Sequence, residues 1–287
     1  MAAKPTVLVA GATGYLGRFL AQSFHDHGYR VRALVRDRRR ADALVADEIF
    51  EGQATRPDTL PGAMDDVTWV VSSLGITRQR DGLSYDEVDY GANLNLLHLA
   101  EAVGTVERFG YVSVFRGPEL RNATRLVAAK ERFVEALRGS ALQSVVVRPT
   151  GFFSDMEEFL DMARRGRVYV FGDGSTRLNP IHGADLASEI VAAMERGTGE
   201  LPIGGPEVLS MRRIAELAFL AAGRRERIAG VPDWMRRFAL AVLPRVTPLH
   251  VYGPAQFFLA ASALDMVAPA YGERHLADHF QSVAARG

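Results

Sequence analysis

The chain has 287 residues, 48% of them hydrophobic and 24% charged, enough for one large domain or two modest ones with a full core. It has no cysteine, which excludes a disulfide framework, a thiolate zinc site and a cysteine nucleophile, and its 34 Lys+Arg balance 34 Asp+Glu, which removes any electrostatic reason to expect nucleic acid on a broad surface. No apolar run approaches the roughly 18 residues of a membrane span, and Met1 to Thr6 lacks the pattern of a signal peptide, so the expectation is a soluble, cytoplasmic protein.

The first half alternates strand and helix. Thr6-Val-Leu-Val-Ala10 is a β-branched apolar run of the kind that is buried on both faces. Gly11-Ala-Thr-Gly14-Tyr-Leu-Gly17 follows at once, then Phe19, Leu20 and Phe24 recur at helical spacing until Gly28 stops the helix. Val31 to Val35 is a second strand ending in Arg36-Asp37, and Ala41 to Ala46 reads as a short helix. Ile49-Phe50 starts a third strand, Val67 to Val71 is a fourth, Val112 lies on a fifth and Val145 to Val147 on a sixth. Leu94 to Ala102 and Leu126 to Leu137 are helical stretches between them. This alternation predicts an α/β fold, a doubly wound parallel sheet of the Rossmann kind with helices on both faces.

Glycines at a strand-to-helix turn have a physical use. The first permits the tight turn, the second lets backbone approach a pyrophosphate, and the third lets helix and sheet pack closely, with the helix N-terminus favouring the anion. Gly11, Thr13, Gly14, Tyr15, Leu16 and Gly17 are therefore candidate dinucleotide contacts, a purely structural turn being the alternative. The end of the second strand selects the cofactor: a carboxylate there bonds the ribose hydroxyls of NAD, an arginine meets a 2′-phosphate. Arg36 favours NADPH over NADH, and Asp37 argues the other way. Arg18 points to the same corner, and Arg38, Arg39 and Arg40 read mostly as a solvated helix start.

After Pro149 the character changes. Phe152-Phe153 begins a helix with Met156, Phe159, Leu160 and Met162, Val168 to Phe171 is a short strand, and Asp185 to Met194 is a helix. Leu201-Pro-Ile-Gly reads as a strand of the main sheet, Met211 to Leu220 as an amphipathic helix and Ile228 to Val231 as a short strand. Trp234, Phe238, Leu240, Val242-Leu243 and Phe257-Phe258-Leu259 form further apolar faces. Residues 1–150 are expected to form the dinucleotide-binding domain, with 172–205 returning to it, and 151–171 with 206–287 a smaller, mostly helical substrate-binding cap. Aromatic residues at helical spacing usually fill a core; a cap rich in Phe, Met, Leu and Trp also suits a large apolar substrate. Trp234 to Arg245, which mixes apolar residues with Arg236, Arg237 and Arg245, reads third as a face for a partner or a membrane surface. The seven histidines are scattered, and His275 and His279 have no third ligand nearby, so no metal site is expected.

Val7-Leu-Val-Ala-Gly-Ala-Thr-Gly-Tyr-Leu-Gly17, Val31-Arg-Ala-Leu-Val-Arg36, Asn93-Leu-Asn-Leu-Leu, Phe109-Gly-Tyr-Val-Ser113, Val147-Arg-Pro-Thr-Gly-Phe152, Phe171-Gly-Asp-Gly174 and Asn179-Pro-Ile-His-Gly-Ala-Asp185 together resemble the extended and atypical short-chain dehydrogenase/reductases. The resemblance runs to about Leu276 and implies their fold and an NAD(P) cofactor. It adds Leu74 and Gly75 after the fourth strand to the dinucleotide contacts, and places Pro149, Thr150, Gly151 and Phe152 beside the nicotinamide.

It also implies a Ser-Tyr-Lys catalytic set, which this chain lacks in part. Lys130 matches the lysine, Leu126 stands at the tyrosine position, and Val114 stands at the serine position with Ser113 one residue early. The segment Lys130 to Pro149 is similar to the isoflavone-reductase and redox-sensor branches, which keep the lysine without that tyrosine. Lys130 then binds the ribose and acts as general acid if burial or a cation lowers its pKa; a plain surface lysine is the alternative. Tyr85, Tyr90, Tyr111 and His182 are the other proton sources, although Tyr111 reads as core and His182 as part of the turn before a helix. Two functions follow: an NADPH-dependent reductase of a hydrophobic, aromatic or quinone-like molecule, or a non-catalytic NADP(H)-binding sensor or assembly subunit. A homodimer stays open.

Overall fold

The computed structural model describes residues 5–76, 82–247 and 249–286. The leader reading at Met1 to Lys4 therefore lies outside the described residues. The chain divides into two compact units, one of Met1–Arg148 with Ala187–Leu201, the other of Pro149–Leu186 with Pro202–Gly287.

The first unit is built on β1 (Thr6–Ala10), α1 (Tyr15–Asp26), β2 (Arg30–Val35), β3 (Glu48–Glu51), β4 (Val67–Ser72), α2 (Asn93–Val103), β5 (Arg108–Val112), the short α3 (Gly117–Leu120), α4 (Arg125–Arg138) and β6 (Gln143–Pro149). A seven-stranded sheet runs in the order β3-β2-β1-β4-β5-β6-β9, where β9 is Glu200–Ile203. Its β1–β2, β2–β3, β1–β4, β4–β5 and β5–β6 pairings are parallel. The strand order reverses between β1 and β4, and in such sheets ligands bind beyond the carboxyl ends of the strands at that switch. Val7, Leu8, Val9 and Ala10 are all fully buried, which is why β1 shows no polar alternation. Leu8 and Ala10 join Leu96, Leu97, Phe109, Tyr111, Phe133 and Val134 in one cluster.

The second unit contains α5 (Phe153–Arg164), β7 (Val168–Phe171), β8 (Arg177–Leu178), the start of α6 (Gly183–Arg196), β10 (Leu209–Ser210), α7 (Met211–Ala221), β11 (Ile228–Val231), α8 (Asp233–Val246), α9 (Leu249–Ala261) and α10 (Leu276–Ala284). β7 and β11 pair in parallel, β8 and β10 antiparallel. Asn179, fully buried, ties this unit together: its amide donates to the Gly205 and Ala268 carbonyls (3.1 and 2.9 Å) and accepts the Ala268 N–H (3.0 Å). Asp185 does the same for the C-terminal segment, accepting the Arg274 N–H at 3.1 Å and pairing with the Arg274 guanidinium.

One local expectation needs correction. Ala41 to Ala46 is not a helix; a 3-10 turn at Arg38–Arg40, capped by Asp37, precedes it, and the Leu44 N–H reaches the Ala41 carbonyl (2.8 Å) in a single turn. Six residues are too few to offset the cost of helix nucleation without a buried face, and only Ala41 among them is buried. Ahead of α2, Asp86–Ala92 winds as a π-helical turn that the apolar pattern does not announce. Such widened turns concentrate at functional sites.

Candidate functional site

The turn after β1 divides its glycine roles unevenly. Gly11 has φ +80°, a conformation that favours glycine, and a Cβ there would lie 2.9 Å from Ser73 Oγ. A Cβ on Gly17 would lie 2.0 Å from the Gly11 carbonyl oxygen, so the third glycine is required by packing alone. Gly14 caps α1 with φ −76° and ψ 174°, an extended conformation open to any residue, and its side is exposed. Its value is closeness of approach rather than backbone freedom. No side chain caps α1, so the N–H groups of its first turn, from Tyr15, Leu16 and Gly17, lie at the positive end of the helix dipole without a side-chain cap from Gly14. That donor set fits a pyrophosphate. Leu16 can serve only through its backbone, since its side chain is buried in the core.

At the end of β2 the competing carboxylate is engaged. Asp37 accepts the Arg39 N–H (3.0 Å) and the Arg39 guanidinium (3.0 and 2.9 Å), which together hold its pKa below the usual carboxylate range. Arg38 donates to the Ile49 carbonyl (2.8 Å). Arg36 is exposed at the strand end, and Arg18 is exposed with its Nε donating to the Thr13 carbonyl (3.3 Å). The strand end thus carries an exposed arginine, and its carboxylate is turned to a neighbour.

Lys130 is buried, not a surface lysine of α4. Its ammonium lies 3.1 Å from Asp89 Oδ1, donates to the Val112 carbonyl (3.3 Å) and stands 3.5 Å from the Tyr111 hydroxyl, at the limit of a hydrogen bond. Asp89 is fully buried on the π-helical turn, and its other oxygen accepts the Ile76 N–H at 3.1 Å. Burial raises the Asp89 pKa. Even so, Oδ2 accepts a backbone N–H and the buried Oδ1, which makes no hydrogen bond among the described residues, stands 3.1 Å from the ammonium, so the geometry is that of an ion pair. Burial also works against the Lys130 charge, but the Tyr111 oxygen and the Asp89 carboxylate outweigh it and hold its pKa above the ordinary lysine value. The lowered lysine pKa that general-acid chemistry asks for is therefore not what these neighbours favour; the Tyr111 oxygen and the Asp89 carboxylate both raise it. Gly75 completes the arrangement: a Cβ there would lie 2.7 Å from Asp89 Oδ1 and 2.9 Å from Lys130 Nζ. The Leu74-Gly75 loop can lie against the pair only because residue 75 has no side chain. The Leu74 N–H donates to Ser72 Oγ (3.2 Å), which donates to Asn93 Oδ1 (2.5 Å), whose amide donates to the Asp89 carbonyl (3.0 Å).

The next residue on α4, Glu131, belongs to a different cluster. It accepts both guanidinium nitrogens of Arg148 (2.7 and 3.0 Å) and the Ser113 hydroxyl (2.8 Å), while Arg148 also donates to the Val114 carbonyl (3.1 Å) and to Glu200 (2.5 Å). The serine one residue early is thus fixed in a buried salt bridge. Val114 and Leu126, at the serine and tyrosine positions of the resembled family, are half-buried and carry no proton to give. Tyr111 is fully buried, and burial pushes its hydroxyl pKa up. Tyr85 is buried, and Tyr90 lies under the Arg132 guanidinium, 4.0 Å from its ring centroid.

At the end of β6 Pro149 is buried; beyond it Gly151 and Phe152 are half-buried, and the Thr150 hydroxyl donates to the Asn179 carbonyl (2.6 Å). Phe153 is a core residue packed on the His182 and His279 rings. His182 Nδ1 accepts the Ala184 N–H (3.1 Å) and so orders the start of α6. His279 bonds Glu157 (2.9 Å), and among the described residues no cluster of His, Asp and Glu could hold a metal ion. Asp89 is the one member of the site that the residue pattern did not single out. The available signal was an aspartate four residues before Asn93, placed to turn inward on the same helix face.

Residues 11–196 match the NAD(P)H-binding family, and the chain belongs to it. Its fold is that of the atypical short-chain dehydrogenase/reductases. The chain is similar to a maize (Zea mays) protein named divinyl chlorophyllide a 8-vinyl-reductase, chloroplastic, at 29% identity over 100% of this chain and 81% of that one. It is also similar to photosystem II assembly factor Ycf39 of Guillardia theta, at 27% identity over 79% of this chain and 73% of the other. Among solved structures, an Escherichia coli NADPH-dependent quinone oxidoreductase, QOR2, in complex with NADPH shares the fold with a TM-score of 0.76 at 16% identity, over 96% of this chain and 99% of that one. No helix among the described residues is long and apolar enough to cross a membrane.

Proposed function

We propose that the protein is an NADPH-dependent reductase of a hydrophobic molecule whose reacting carbon is conjugated, as in a quinone or a vinyl-substituted aromatic system. The observation that carries this reading is the buried Lys130–Asp89 pair set against Gly75, next to the switch of a dinucleotide-binding sheet. The dinucleotide, when bound, supplies a hydride from its nicotinamide ring. The first turn of α1 holds the pyrophosphate and Arg36 the 2′-phosphate. Lys130 is kept charged by Asp89, and its weakest contact, the 3.5 Å one to Tyr111, leaves a donor to turn toward a ribose hydroxyl. Pro149, Thr150, Gly151 and Phe152 remain proposed for the nicotinamide side on the resemblance, Thr150 through its backbone. Residues 151–171 and 206–287 are proposed to select the substrate.

The missing tyrosine supports the choice of acceptor. Hydride addition to an isolated ketone leaves a localised alkoxide that needs an acid in the transition state. Addition to a conjugated system spreads the charge, so a fixed cation and a proton from water suffice. The names of two similar proteins, a vinyl-reductase and a quinone oxidoreductase, describe acceptors of that kind.

The test is NADPH oxidation with a panel of quinones, conjugated alkenes including divinyl chlorophyllide, and simple aromatic ketones. Turnover of conjugated acceptors with none of the ketones is expected. A second reading, an NADP(H)-binding assembly subunit without catalysis, is favoured by Leu126 and by the likeness to an assembly factor. Tight NADPH binding with no compound reduced would replace the first reading by the second.

A further inference from the structure

The substrate-selecting role proposed for residues 206–287 does not account for the exposed face of α8. No described side chain of α8 is buried, and Trp234, Met235 and Phe238 are 65%, 45% and 61% exposed. These three make up nearly half of the exposed large hydrophobics among the described residues. At roughly 100° per residue, Trp234, Phe238, Ala241, Val242 and Arg245 fall on one stripe, flanked by Met235 and Arg237. Arg236 falls on the opposite side, where it donates to the Leu259 carbonyl of α9 (2.9 Å) and to Asp233 (2.6 Å). The helix is thus anchored by one face and presents an aromatic and basic face outward.

Charge points the same way. Between Arg224 and Arg245 the chain carries six arginines, at 224, 225, 227, 236, 237 and 245, against Glu226 and Asp233. A net of four positive charges in this one stretch stands out in a chain whose total is zero. Arg224, Arg225 and Arg227 are exposed in the loop that leads through β11 into α8.

We propose that α8, with the basic loop ahead of it, docks on the surface of an anionic lipid bilayer. Tryptophan and phenylalanine insert at the level of the headgroups, and arginines flanking them meet lipid phosphates. α8 lies in the surface, since it is too short and too charged to cross it. A second copy of the chain is a poorer occupant, because a two-fold contact of this face sets Arg237 and Arg245 against arginines of like sign. The proposal goes beyond the reductase reading and stands whether or not the protein turns over.

The test uses the full chain with vesicles of phosphatidylcholine, with and without phosphatidylglycerol. Sedimentation with the anionic vesicles is expected to exceed that with neutral ones at least about tenfold and to weaken with salt. Trp69 is buried, so a blue shift of the tryptophan emission on binding reports Trp234. Trp234→Ser with Phe238→Ser, or Arg237→Glu with Arg245→Glu, should each reduce vesicle binding about tenfold or more while NADPH affinity is unchanged. All four positions are exposed, so the fold should tolerate both pairs. No binding to anionic vesicles, equal binding to neutral ones, or a solution dimer that Trp234→Ser with Phe238→Ser dissolves would overturn the proposal.

Discussion

Lys130 and Glu131 are neighbours on α4, both buried and both paired with an opposite charge, yet the two clusters differ in kind. Around Glu131, Arg148 is held two-pronged and the remaining valences go to Ser113, Val114 and Glu200. Around Lys130, one carboxylate oxygen, one carbonyl and a long contact to a phenol make a looser set, against a glycine whose missing side chain lets the loop lie on the pair. A buried charge whose valences are all filled holds the fold; one that keeps a donor in reserve is the one we propose for binding. The difference also explains how a serine so near the expected catalytic position comes to be structural.

The largest effect should fall on the closed cluster. Arg148→Met strands the Glu131 carboxylate in the interior and should cost about 3–5 kcal/mol of stability, read from urea unfolding; the double change with Glu131→Leu should recover much of that loss. If Arg148→Met unfolds like the wild type, the closed cluster is not a staple. On the open side, Asp89→Asn keeps the shape and removes the countercharge. Burial is then opposed by the Tyr111 oxygen without the carboxylate, so the Lys130 pKa falls and the alkaline limb of the pH–rate profile of NADPH oxidation should move to lower pH. An unmoved limb would mean that Asp89 does not set the charge on Lys130.

Arg36→Ala should cut the preference for NADPH over NADH roughly tenfold, the worth of one charge-assisted contact, measured by calorimetry with both dinucleotides. A wild type that prefers NADH would refute the assignment at β2. The smallest effect belongs to His182, whose pKa is held below 6.5 by burial, with Arg274 and His279 adding to it. The unfolded chain takes up that proton more readily, so the stability contribution is complete above pH 6.5 and fades as the pH falls through the lowered value. The urea midpoint of the wild type should therefore drop more on acidification than that of His182→Gln; equal drops would assign the acid sensitivity to another group.

The sequence made the sheet and the glycine turn legible because few other structures need a buried strand, three spaced glycines and a helix in that order. Lys130 was legible through its spacing from Leu126 and Pro149. Asp89 was not, because its role depends on a partner 41 positions away and on a π-helical turn that shifts its register. For Gly14 the sequence indicated close approach to a ligand but not the conformation, since the positive φ belongs to Gly11. Aromatic residues after Pro149 all read alike as apolar pattern, yet Phe153 and Phe159 are core while Trp234 and Phe238 are exposed. Helical spacing alone does not say whether another element covers the apolar stripe.

The claim that the open cluster is the working one is tested most directly by Lys130→Met, assayed for NADPH oxidation with a conjugated acceptor alongside NADPH affinity by calorimetry. With the ammonium gone, Asp89 is free to take up a proton, so the fold should survive. Turnover should fall on the order of a hundredfold, with a much smaller loss of NADPH affinity. Turnover equal to that of the wild type, with NADPH still bound, would contradict the account and reduce Lys130 to a structural residue.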